Sequence, residues 1–106
     1  MANTFVNKKV DLTTTSATTL YTVPSATTAI IKSILVSEDT GATPTIDITL
    51  VESSNIFSLF KSEGLAANQT KELLTQPLVI QAGQELKAQA SAGNQLHIVV
   101  SYLEIT

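Results

Sequence analysis

The chain of 106 residues contains no cysteine, no tryptophan and no arginine, and its one histidine is His97. Each absence closes a class of function. Without thiols there is no disulfide framework, so stability rests on packing and on association with other chains. One histidine and no cysteine cannot fill the tetrahedral nitrogen and sulfur shell of a zinc site. Without arginine there is no planar fork for phosphates or base edges. The cationic side chains are all lysines, scattered at Lys8, Lys9, Lys32, Lys61, Lys71 and Lys87, and the formal net charge is −3. Nucleic acid calls for a basic stripe that neutralises phosphates, so no nucleic-acid partner is expected. Charged residues make up only 14% of the chain, against roughly 25–35% on surfaces built to stay single. That deficit points to outer surface covered by protein.

Long apolar runs are missing as well. No stretch approaches the roughly 18 residues of a membrane span, so no membrane partner is expected. The opening Met1 to Lys9 has no apolar segment after its charges, and a secretory signal is not expected. The four glycines, Gly41, Gly64, Gly83 and Gly93, are dispersed one per turn and form no phosphate-cradling loop. No cofactor is expected. Asn68-Gln69-Thr70 matches a glycosylation sequon, a triplet that also arises by chance.

What is present is strand. Thr45 to Val51 and Glu85 to Ala90 alternate apolar and polar residues with the period of a half-buried strand. Threonine, valine and isoleucine suit a pleated surface better than a helix. About eight strands are expected: Phe5 to Leu12, Thr18 to Val23, Ala29 to Ser37, Thr45 to Glu52, Ile56 to Lys61, Leu73 to Ile80, Glu85 to Ala90 and Leu96 to Ile105. Pro77 marks a strand start or an edge, which would move the sixth strand to Leu78. Leu65 to Leu74 alternatively holds one helical turn. Turn chemistry lies between the strands, at Pro24-Ser25, Glu38 to Gly41, Glu63-Gly64, Ala82 to Gln84 and Ser91 to Asn94. The expected fold is all-β: one domain over residues 1–106, an antiparallel β-sandwich of jelly-roll type. Residues 1–9 form either its first strand or an extended arm that docks on a neighbour.

The faces of these strands carry the main functional expectation. In the Thr45 strand only Ile46, Ile48 and Leu50 are apolar, with Thr45, Asp47 and Thr49 opposite, so one side meets water. The Ala29 strand is apolar on both faces: Ile30, Ile34 and Val36 against Ile31 and Leu35. The last strand repeats this, with Leu96, Ile98, Val100 and Tyr102 against Val99, Leu103 and Ile105. A second apolar face needs a covering loop or a neighbouring subunit, and the low charge favours the subunit. Phe5, Ile31, Leu35, Val99, Leu103 and Ile105 are the expected interface residues, and a homo-oligomer is the expected state.

Little in the chain suggests chemistry. His97, between Leu96 and Ile98, has no thiol to activate and no nucleophile-elbow pattern around any serine. Glu38 and Asp39 offer oxygen ligands for calcium but lack EF-hand spacing, and such a pair ordinarily solvates a turn. Phe57 and Phe60, three apart in a strand, should point to opposite faces. Sparse aromatics weigh against a sugar site. No catalytic residue, cofactor or metal ligand is assigned.

Three stretches carry a resemblance: Met1-Ala2-Asn3-Thr4-Phe5, Thr18 to Pro24 continuing to Ala29-Ile30-Ile31, and Ser101 to Thr106. Together they resemble small virion structural proteins of tailed phages, the head-decoration, cement and tail-accessory β-domains. In that family the stretch from Leu78 through Gly83 to Leu86 is similar to the strand-turn-strand near the end of the fold. The resemblance implies a non-enzymatic domain on the virion, assembled in the host bacterial cytoplasm. It also implies a trimer, with the major capsid protein or another virion protein as partner. A capsid decoration or cement subunit is the first expectation. A neck, tail or fibre accessory protein is the alternative, and a carbohydrate-binding module a further one.

Overall fold

The computed structural model describes residues 2–106 and contains nine strands with no helix among them. They are β1 (Asn3–Leu12), β2 (Thr18–Thr22), β3 (Thr28–Glu38), β4 (Thr45–Glu52), β5 (Asn55–Gly64), β6 (Thr70–Glu72), β7 (Leu78–Gln81), β8 (Glu85–Ala90) and β9 (Leu96–Ile105). One antiparallel sheet runs β1-β9-β3, with β6 and β7 both pairing along β3; the other runs β2-β8-β4-β5. If β6 and β7 are counted as one interrupted strand, this is the interleaved order of an eight-stranded jelly roll. The chain crosses between sheets at almost every connection, which explains the scarcity of tight hairpins.

The interruption replaces the single strand expected over Leu73 to Ile80. Pro77 has no N–H to give to a ladder, and β3 is irregular opposite the gap. Glu72 fills the vacancy, its carboxylate accepting the Ile34 N–H at 2.8 Å and the Leu74 N–H at 3.1 Å. The Leu65 to Leu74 stretch makes no helical turn; it runs as a loop into β6. Residues 3–9 belong to β1, which pairs with β9 from Asn3↔Ile105 to Leu12↔Leu96.

Between the sheets lies one core. The first sheet contributes Leu12, Ala29, Ile31, Ile34, Val36, Ile80, Ile98 and Val100; the second contributes Leu20, Ile46, Ile48, Leu86 and Ala88. The Thr45 strand buries Ile46 and Ile48 on one side, as its alternation requires.

Four bulges set the faces. In β3 the register shifts between Ile31 and Ser33, leaving Lys32 as the extra residue. Both Lys32 and Ser33 then point away from the core, and the inward set becomes Ala29, Ile31, Ile34 and Val36. In β2 a shift between Thr19 and Tyr21 turns Leu20 and Tyr21 inward together. In β5 an extra residue near Leu59 puts Phe57 opposite Leu50 and Phe60 opposite Ile48. Residues opposed in an antiparallel pair share a face. Phe57 and Phe60 therefore lie on the same side, not on opposite sides. The fourth bulge, near Ser62, sits over Asp47, which accepts the Ser62 N–H at 2.6 Å.

Candidate interaction surface

The outer face of the first sheet, the side turned away from the core, is built in cross-strand rows. Along the register the first row is Asn3, Ile105, Thr28 and Gln81. The second is Phe5, Leu103, Ile30 and Val79, apolar from edge to edge. The third is short and polar: Asn7, Ser101 and Ser33. The fourth is Lys9, Val99, Leu35 and Glu72, and the fifth is Asp11, His97, Ser37 and Thr70. Phe5 is 76% exposed and Val79 55%. Beside Phe5 a shallow hollow of about 390 Å³ opens at the polar row, lined by Phe5, Val6, Asn7, Lys32, Ser101 and Tyr102.

Five of the six expected interface residues, Phe5, Leu35, Val99, Leu103 and Ile105, share this face. Ile31 does not: it is fully buried, opposite Tyr102. The Lys32 bulge is the reason, because it turns Ile31 inward and leaves Ile30 outside. Ile30 and Val79 complete the apolar row and were not among the expected residues. Val79 was legible in the alternation Leu78-Val79-Ile80-Gln81, in which Ile80 takes the core side.

The opposite end of the same face is charged. His97 lies between two carboxylates, with Nδ1 2.5 Å from Asp11 Oδ1 and Nε2 3.1 Å from Asp39 Oδ2. The hydrogen bond to Asp11 and the charges of both aspartates hold the imidazole pKa above its ordinary value, against a smaller opposing effect of burial. No group of His, Cys, Asp and Glu among the described residues is arranged to hold a metal ion.

Glu38 does not solvate its turn. It is 2% exposed, and its carboxylate accepts the N–H groups of Thr40 at 3.0 Å, Gly41 at 3.0 Å and Asn68 at 2.9 Å, together with the Thr40 hydroxyl. Its oxygens are thus committed to the protein's own donors, which ties the β3–β4 loop to the β5–β6 loop. The Thr40 hydroxyl, reinforced by main-chain N–H groups, holds its pKa down to about 2 although burial opposes this. Asp39, by contrast, turns outward to His97.

A second polar cluster closes the other end of the core. The Tyr21 hydroxyl, from the second sheet, donates to Glu104 of the first at 2.5 Å, and the rings of Tyr21 and Tyr102 lie 4.1 Å apart. Burial pushes both phenols upward in pKa, with Glu104 adding to the effect at each.

No family model, curated protein or solved structure matches the chain.

Proposed function

We propose that the chain is a non-enzymatic structural subunit of a phage particle, a decoration or cement protein that holds to copies of itself and to the major capsid protein. The observation that carries this reading is the row Phe5, Leu103, Ile30 and Val79, crossing the outer face of a sheet with Ile105 beside it and Val99 and Leu35 beyond one short polar row. A contiguous apolar patch of that kind on a weakly charged domain is the mark of a protein contact. The jelly roll is in keeping with it, since viral shell domains use this fold, as do lectins and cupins. Fold alone does not choose among them. The choice rests on the resemblance at both ends of the chain and on the sparseness of aromatic side chains for a sugar site.

A cement subunit adheres to a repeating shell and turns nothing over. The polar clusters suit that role. Glu38, Glu72 and the Tyr21–Glu104 pair spend their hydrogen-bonding capacity on fastening loops and sheets.

The test is binding of the purified, labelled chain to phage heads that lack it. Saturable binding at many sites distributed over the shell is the expected result. Label at a single vertex moves the protein to the neck or tail, and no binding to heads or tails removes the reading.

A further inference from the structure

The rows of the outer face are complementary to themselves. The second row is bulky and apolar, and the third, next to it, is small and polar, with the hollow opening there. A two-fold axis lying in the plane of contact, parallel to the rows and midway between these two, has a simple consequence. It places the bulky row of one copy over the small row of the other, and the reverse. Phe5 then enters the partner's hollow beside Asn7, Leu103 covers Ser101, and Ile30 covers Ser33. The same operation sets the first row over the fourth, so that Ile105 meets Val99 and Thr28 meets Leu35. The charged row of Asp11 and His97 falls at the rim, where it keeps its water.

We infer that this face pairs with the same face of a second copy, in a two-fold contact that seats Phe5 of each chain in the hollow of the other. This deepens the proposed function and rests on its reading of the chain as self-associating. A two-fold contact is isologous: one patch serves both partners, and the contact closes on itself. The available surface is adequate. The four paired rows, four strands wide and about eight residues long, cover roughly 19 by 26 Å, about 500 Å². Two copies then bury on the order of 1,000 Å², about the least that a specific interface needs. Two sheets packed in this way lie about 10 Å apart, the spacing of ordinary sandwiches. Lys32, the bulge residue, lines the hollow and offers the apolar stem of its side chain to the contact.

The chain has no cysteine, so engineered thiols report the geometry cleanly. Asn3 of one copy is expected to face Lys9 of the other, whereas each of these positions lies ~20 Å from its own counterpart. Asn3→Cys and Lys9→Cys chains, mixed with a short bifunctional thiol reagent that spans facing sheets about 10 Å apart, should give a crosslinked dimer; neither variant alone should do so. Phe5→Asp, at a site outside the core, should keep the fold by circular dichroism and weaken association at least tenfold. Self-linking of either single-cysteine chain, or a trimeric mass, overturns this pairing and leaves the decoration reading intact. Undiminished association of Phe5→Asp overturns it too. A folded chain that stays monomeric yet saturates phage heads does the same, and locates the failure in the pairing alone.

Discussion

At position 93 a single hydrogen is all the space allows. A β-carbon there would stand 2.7 Å from the carbonyl oxygen of Thr13, a main-chain atom that cannot swing aside. Gly93→Ala should cost about 1–3 kcal/mol in urea unfolding, the usual scale of overpacking. The sequence marked Gly93 only as a turn residue; the approach of the β1–β2 loop is a tertiary fact. Tyr21 is a second case. Tyr21→Phe removes the donor to Glu104 while leaving the ring contact with Tyr102. A hydrogen bond to a carboxylate is worth about 1.5–3 kcal/mol, and a loss on the order of 1–3 kcal/mol is expected by the same measurement. His97 gives a pH signature. Its folded pKa is raised, so its contribution is complete below the unfolded value of about 6.5 and is lost as pH rises through the folded value. The residues are exposed, which limits the effect to less than about 1 kcal/mol. Thermal melts across that interval should show a small fall that His97→Gln abolishes.

Among the elements, β3 shows what a pattern can and cannot disclose. Its apolar content announced a strand, and its period failed at one residue. With Lys32 bulged, Ile31 and Ile34 are both inward despite their odd spacing of three. Strict alternation puts them on opposite faces, and for that reason Ile31 was expected outside and Ile30 was not. Phe57 and Phe60 repeat the lesson in β5. Strands without such a bulge, such as β9 with Leu96, Ile98, Val100 and Tyr102 inward, follow their sequence residue for residue. Bulges depend on which strand pairs with which, and that is invisible in local spacing. The consequence is testable by deletion. Removing Lys32 straightens the ladder and keeps every following side chain on its face, so the variant should fold. Removing Leu35 inverts Val36 and all that follows up to Glu38, and should cost more than about 4 kcal/mol through exposed apolar and buried polar groups. Dispersed amide spectra for the first and collapsed ones for the second are expected. The loops have their own control in Glu38. With its pKa near 2 instead of 4.5, its stabilising effect is full above the unfolded value and vanishes as pH falls from 4.5 toward 2. Glu38→Gln should flatten that part of the acid unfolding curve.

The molecule as a whole is asymmetric in its surface chemistry. One end of the first sheet's outer face is apolar, around Phe5, Ile30, Val79, Leu103 and Ile105; the other end carries Asp11, Asp39 and His97. The all-β class followed from alternation and turns, and the exposed apolar face from doubly apolar strands. The row order that gives the face its relief came only with the pairing of distant segments, β1 with β9 and β3 with β7. This face is proposed as a contact between chains. Sedimentation equilibrium over a wide range of concentrations measures it most directly, on the 11.2 kDa chain beside a Val79→Asp variant. A mass of at least two chains is expected for the native sequence, and a shift toward one chain for the variant at unchanged fold. A native chain that sediments as a single 11.2 kDa particle at every concentration would contradict it.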